Sequence, residues 1–498
     1  MTALIIHGHF YQPPRENPRT GEIERQPTAA PFHDWNERIH AECYGPNAFA
    51  RIGGDVAERV VNNYAYISFN FGPTLLSWLE KHQPRTYHRI LEADRESAAK
   101  RGGHGNAIAQ AYGHAILPLA NPRDRLTQVI WGLEDFRSHF AREPESIWLP
   151  ETACNDEILE LLIEQGMRYV ILSPEQARRV RPDANELWTE VTNTSVDTAK
   201  PYRFMHRDGS GRSLAVFFYH GPLARSIAFE KALTSSRELV DRFIQVALTG
   251  KMVNVATDGE TYGHHFKFGD LCLAHALEVE APQAGFQITN YGEYLDHHTP
   301  DHHVEINNGP AGEGTSWSCV HGVGRWSRDC GCYTGGESGW NQLWREPLRT
   351  ALEFLRAGAA ENFERLGSSV FKDPWQARNA YIRVVLGDGS GTEAFLMEQC
   401  QRSLSNRERH LALTLLEIQR NALLMFTSCG WFFSDLGGIE TIQVLRYAAR
   451  VIDLQKELGI EIHRAKFLQV LSEARSNIIE KGTGADIFLR LESAADSL

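Results

Sequence analysis

The feature that most limits the fold is an alternation that runs through roughly the first 300 residues. Strand-like apolar runs at Ala3–Ile6, Ala65–Phe69, Ser146–Leu149, Tyr169–Leu172, Ala215–Tyr219 and Met252–Ala256 are separated by helix patterns. Those patterns include Pro73–His82, Asp124–Phe140, Asp156–Glu164 and Ser236–Leu248. Strand alternating with helix reads as βα units around a mostly parallel sheet or barrel, an α/β fold. Polar residues stand just after the runs: His7 and His9, Asn70, Glu151, His220, and Asp258 with Glu260. In parallel α/β folds the carboxyl ends of the strands carry the active site, so these positions are the first candidates.

From about Trp340 the pattern changes. Helical stretches follow one another at Asn406–Met425, Ile439–Leu458 and Ile462–Glu480 with little strand signal. The expected organisation is an α/β domain over 1–304, a Gly- and Cys-rich junction over 305–339 and an all-helical domain over 340–498. No terminating element follows Leu489, which leaves room for a longer parent protein.

Charge and composition exclude several function classes. Lys plus Arg number 51 against 63 Asp plus Glu, a net charge of −12. That balance argues against a nucleic-acid partner, since phosphate neutralisation needs an excess of base. No run is long and apolar enough for a bilayer, and MTALIIHGHFYQPP lacks the basic region and apolar core of a secretory leader. No membrane partner is expected. Eight cysteines in 498 residues are too sparse for a disulfide scaffold, so the expected location is the reducing cytoplasm.

Three segments carry chemistry. In His7-Gly-His9-Phe-Tyr-Gln-Pro-Pro14 the two imidazoles share one face of a strand end and suit a metal or a sugar hydroxyl. In Trp148-Leu-Pro-Glu151 a carboxylate follows a strand beside an aromatic platform, although an acid there also serves as a helix cap. In Asp258-Gly-Glu260-Thr-Tyr-Gly-His264-His265 an apolar strand runs into two carboxylates and two histidines. Acetal cleavage needs two carboxyl groups of different environment, one ionised as nucleophile and one protonated as acid.

Taken together and in order, these motifs resemble glycoside hydrolase family 57, the second family of α-amylase-type enzymes. His7–Pro13 is similar to its opening region, with Tyr11 where His is usual. Gly103-His104-Gly105-Asn106 resembles its second region, Trp148–Glu151 its third and Asp258–Gly263 its fourth. The resemblance spans about residues 1–300 and implies an incomplete (β/α)7 barrel, a helical C-terminal region and retaining attack on α-glucans without a cofactor. It implies Glu151 as nucleophile and Asp258 as acid/base. His9, His104 and Trp148 are the candidates for holding the sugar, with His7, Glu260 and His264 as second choices. The region beyond the barrel resembles an uncharacterised domain often fused to such barrels.

The junction contains Trp317-Ser-Cys319-Val-His321 and Gly324-Arg325-Trp326, then Cys330-Gly-Cys332. Three Cys and one His are a tetrahedral zinc donor set, but this spacing matches no common zinc module. The loop therefore reads as a cover over the barrel mouth, with Trp317, Arg325 and Trp326 against the glycan, or as a wedge between domains; no metal is expected. Two rival functions stay open. A metal-dependent deacetylase or mannosidase-like hydrolase would use His7, His9, Asp258, His264 and His265 as ligands, but lacks an Asp-Asp pair on an early strand. A non-catalytic glycan-binding protein is disfavoured by the intact carboxylate pair. Hydrolysis, transfer and oligomeric state are not legible in the sequence.

Overall fold

Residues 2–10 are almost wholly apolar apart from two histidines, and eight of these nine are buried. A strand buried on both faces needs partners on both edges and covering layers above and below. A computed structural model, which describes residues 1–53, 59–183, 185–191, 195–387 and 389–495, supplies them. Seven strands that pair in parallel are, in chain order, β1 (Thr2–Phe10), β2 (Ser68–Phe71), β3 (Ala109–Gln110), β4 (Ile147–Trp148), β5 (Tyr169–Leu172), β6 (Ser213–Phe218) and β7 (Met252–Asp258), and the short Phe286–Ile288 adds in parallel to the start of β1. Ladders join β7 to β1 and β1 to β2, β3 to β4, and β5 to β6. Single bridges at Phe69–Ala107 and Ser146–Tyr169 connect these groups. The His220 amide donates to the Asn254 carbonyl at 2.8 Å, near the seam of β6 and β7.

The helices between the strands follow their start signals. Pro122–Phe140 begins two residues before the expected Asp124, because Asn121 accepts from the Asp124 amide (3.0 Å) and Pro122 takes the first turn. The expected strand Ala65–Phe69 is shifted to Ser68–Phe71. Asn63–Ala65 instead forms a turn that Asn63 anchors by donating to Asn47 Oδ1 and the Asp270 carbonyl. Further strands hang from β6: Tyr202–Met205 antiparallel to it, then His302–Ile306, then Ala177–Arg181. His302–Ile306 crosses the boundary expected at 304, so strand pairing carries the first unit past that residue.

From Arg345 onward the described residues form helices, including Arg345–Gly367, Asn406–Leu424 and Ile439–Glu457. Asn406–Leu424 is started by a reciprocal cap between Ser405 and Glu408. The single helix expected over 462–480 is Arg464–Leu471 followed by a turn. The Asp435 carboxylate captures the Ser476 hydroxyl (2.8 Å) and the Asn477 amide (2.8 Å), and so competes with continued helix there. No helix among the described residues is long and apolar enough to cross a membrane.

Two large hydrophobic cores result, beside a small cluster of Ala50, Ile52, Val61 and Ala274, and the second large core borrows from the first half. Tyr112, Ile116 and Trp131 pack with the C-terminal helices rather than with the strands. Arg378 fixes this seam. Its buried guanidinium donates to Asp124 Oδ1 (2.7 Å), Gln419 Oε1 (3.1 Å), the Arg123 carbonyl (2.8 Å) and Thr127 Oγ1 (2.9 Å). Arg378→Ala removes the buried cation opposite Asp124 and lowers unfolding free energy by about 3–5 kcal/mol in urea titrations, and a loss under about 1 kcal/mol would show that the seam is held elsewhere.

Candidate active site

Strand register gathers residues that lie far apart in the chain. In the ladders, His7 faces Ser68 and Ala256, and His9 faces Asn70 and Asp258. His7 Nδ1 lies 3.0 Å from Ser68 Oγ, and its Nε2 lies 3.1 Å from Asn70 Oδ1. Asn70 also contacts His9 Nδ1 and donates to Gln110 Oε1 at 2.8 Å. Burial pushes both imidazoles down to a pKa of about 3, so they are neutral donors and acceptors. Trp148 stacks on both rings, with centroids 4.8 Å from His7 and 4.9 Å from His9. His7 has no exposure, so it supports this floor from beneath.

Glu151 follows that floor on a strained turn. Its backbone has φ 58°, and Thr152 follows at φ 51°, two left-handed residues that are not glycine. Such residues cost of order 1–3 kcal/mol each and persist where surroundings over-determine them. Here Thr152 N donates to the Leu149 carbonyl (2.8 Å), Trp317 N to the Glu151 carbonyl (3.0 Å), and Gln176 Nε2 to the Thr152 carbonyl (2.8 Å). The carboxylate is buried, and Oε2 accepts from Trp317 Nε1 (2.9 Å) and Ser318 Oγ (2.6 Å). Burial pushes its pKa above the ordinary range, while Ser318, Trp317 and the charge of Arg325 pull it back. Ser318→Ala removes one of these restraints, so the Glu151 pKa should rise further, read from the acidic limb of an activity profile or by carboxyl NMR; an unmoved limb would remove Ser318 from the account.

Asp258 ends β7 as the one exposed residue after six buried ones, yet the protein around it limits hydration of its carboxyl. Burial and the Glu151 charge together push its pKa up to about 7. Glu260 is sealed in behind it. Its Oε1 accepts from Tyr44 Oη (2.6 Å) and the Tyr11 amide (3.1 Å), and burial with the neighbouring Asp258 pushes it to about 8. Gly259 permits this crowding, since a Cβ there would lie 2.3 Å from the Phe10 ring. Three neighbouring carboxyls thus differ in environment: Glu151 is steadied by two donors, while Asp258 and Glu260 are pushed to about 7 and about 8, the kind of unequal set that can divide attack from proton donation.

Not every expected residue joins this group. Trp317 does, edge-on to Trp148 at 5.2 Å. His104 does not: it bonds Glu145 (3.0 Å) and Asp296 (2.8 Å) beside the start of β4, at the opposite end of the strands from Glu151. Burial works against charge on its ring, but those two carboxylates outweigh it and raise its pKa. Trp326 has no exposure and packs in the helical core, so the expected contact with a glycan is corrected to a structural one. Arg325 is also buried, donating to Thr334 (2.7 Å) and the Phe432 carbonyl (3.1 Å), and reaches Glu151 through its charge. His264 is taken by Glu42. Of the ligand set of the metal-hydrolase reading, His7, His9 and Asp258 lie on neighbouring strands, but His264 is held by Glu42, and the set does not converge as a metal cluster among the described residues.

His114 was not expected. Held at φ 52°, it stacks on Tyr11 at 3.7 Å, places Nε2 3.2 Å from His9 Nε2, and contacts Ser428 Oγ at 2.6 Å. Tyr44, which bonds Glu260, was missed too. The one signal for His114 was its place four residues after Gln110 at a strand end.

A family model described as glycosyl hydrolase family 57 matches residues 32–307, and one described as a domain of unknown function (DUF3536) matches residues 340–495. The chain is 23% identical over 258 residues to a 4-alpha-glucanotransferase of Thermococcus litoralis, covering 51% of this chain and 36% of that relative. It thus spans about a third of that relative's length. Among solved structures, an exo-type maltose-forming amylase of Pyrococcus sp. ST04 superposes with a TM-score of 0.65 at 15% identity, covering 94% of this chain and 82% of the amylase. A GH57-type branching enzyme of Pyrococcus horikoshii does so with a TM-score of 0.54 at 15% identity, covering 98% and 96%. Identities this low speak for the fold alone.

Proposed function

Because the chain belongs to glycosyl hydrolase family 57, we propose that it cleaves or transfers α-glucan chains by a retaining mechanism, with Glu151 as nucleophile and Asp258 as acid/base. The observation that carries this is the pairing of unequal carboxyls. Glu151 is steadied by two donors on Oε2, which leaves Oε1 to attack the anomeric carbon. Asp258 is raised to about 7 by burial and by the charge of Glu151, so it holds a proton for the leaving oxygen.

The cycle then follows from charge. Glu151 bonds to the anomeric carbon as Asp258 gives its proton to the departing glycosidic oxygen. The glycosyl ester is neutral, so the pressure on Asp258 is relieved and its pKa falls. It is now a base, able to take the proton of water or of a sugar hydroxyl that displaces Glu151. The half-buried Trp317 is the aromatic face against which a pyranose ring is held, with the buried Trp148 and His9 packed behind it. The seven parallel strands are read as the incomplete (β/α)7 barrel of this scheme, with the helices after 340 closing one side of it. Eight free cysteines suit a reducing cytoplasm.

The test is product analysis after incubation with maltoheptaose and with glycogen. Shorter oligosaccharides alone mean hydrolysis; shorter together with longer ones, or new branches, mean transfer. If both glycans stay intact with the wild-type protein, the α-glucan reading fails.

A further inference from the structure

The loop that supplies Trp317 and Ser318 to Glu151 runs straight on into four side chains that converge on one point. Cys319 Sγ lies 3.8 Å from Cys330 Sγ and 3.8 Å from Cys332 Sγ, and Cys332 Sγ lies 3.5 Å from His321 Nδ1. All four ligand atoms fall within 4.8 Å of one another. A tetrahedral zinc ion with Zn–S of about 2.3 Å and Zn–N of about 2.0–2.1 Å sets its sulfurs about 3.75 Å apart and sulfur from nitrogen about 3.6 Å apart. The three closest separations match those edges. They exceed a disulfide bond of about 2.05 Å, which could in any case use only two of the three sulfurs.

The backbone is arranged for the same end. Cys319 is buried and His321 lies at the surface with Nδ1 turned to Cys332 Sγ, while Val320 between them is 92% exposed and turned away. Gly331 at φ 79° makes the turn that brings Cys330 and Cys332 to the same side. A separate observation concerns charge. Arg345 is fully buried, forms no ion pair among the described residues, and keeps Nε and Nη2 without hydrogen-bond partners. Its Nη1 donates to the Cys332 carbonyl at 2.7 Å. A divalent ion bound by three thiolates and one neutral imidazole carries a net negative charge, which is the counter-charge that this guanidinium lacks.

We propose that Cys319, His321, Cys330 and Cys332 bind a structural zinc ion that clamps the loop carrying Trp317 and Ser318 over Glu151. Four protein ligands close the coordination sphere, so the ion holds structure and takes no part in bond cleavage. Soft thiolates with imidazole favour zinc over magnesium or calcium. The consequence for Glu151 rests on the glycosidase reading; the metal site does not.

The test uses the full chain purified from zinc-supplemented medium without chelator. Elemental analysis should give about one zinc per chain, and X-ray absorption should give three sulfurs and one nitrogen with Zn–S of about 2.3 Å. Cys330→Ser/Cys332→Ser should fall below about 0.1 zinc per chain by the same reasoning. Where that variant fails to fold, cobalt substitution of the wild-type protein should show thiolate charge transfer and tetrahedral ligand-field bands. Removing the zinc should also speed amide exchange over residues 315–332 before any glycan is added. Zinc-free wild-type protein, a disulfide between two of the cysteines, or zinc retained by the double variant overturns the site. Unchanged exchange after zinc removal overturns the clamp.

Discussion

Glu151→Gln is expected to lower kcat on glycogen and maltoheptaose by on the order of 10⁴-fold or more while leaving glycan affinity and thermal stability near wild type. The amide oxygen still accepts from Trp317 and Ser318, so the turn keeps its partners. What goes is the atom that bonds to carbon. Glu151→Gly makes the sharper test, because glycine adopts φ 58° without strain and opens room for a small anion. With an α-glucosyl fluoride donor, added azide should restore turnover and yield the β-glucosyl azide, since the azide stands where the carboxylate stood. A Gln variant within about 10-fold of wild type, with no azide product from the Gly variant, would move Glu151 out of the nucleophile role.

Asp258→Asn is expected to cost on the order of 10²–10⁴-fold with α-glucan substrates and far less with α-glucosyl fluoride, whose leaving group needs no proton. The direction with pH follows from the proton that Asp258 must hold. In the wild-type protein kcat/KM falls as pH rises through about 7, where Asp258 ionises. In the Asn variant that limb disappears. Azide should now give the α-glucosyl azide, because it attacks a glycosyl-enzyme that has formed but lacks a base. Since the Glu151 charge is one of the two causes of the raised pKa, Asp258 observed by carboxyl NMR should titrate lower in Glu151→Gln than in wild type. An equal loss on glucan and fluoride, with the basic limb retained, would remove Asp258 from proton transfer.

Where the sequence was informative, local chemistry and tertiary packing agreed. Tyr169–Leu172 and Pro73–His82 appear at their expected bounds because apolar runs and an N-terminal proline act within one element. The candidate carboxylates stood out because each follows a strand. His104 misled because a Gly-rich motif says nothing about which end of the strands it occupies, and here it meets Glu145 before the strand begins. His114 and Tyr44 were invisible for the converse reason. Each joins the site from a segment with no signal of its own, placed there by Tyr11 stacking in one case and by Glu260 in the other. The cysteine loop converges through two short turns that bring Cys319, His321, Cys330 and Cys332 together, an arrangement that residue spacing alone does not reveal.

One contact bears on how such a protein can be inherited. Ser428, from the helical half, holds His114, which sits edge to edge with His9 beside the carboxylates. The two matched stretches are therefore not interchangeable modules. A recombination event that gave the first stretch a different companion would remove part of the chamber floor, so the pair should persist or be lost as one unit of descent.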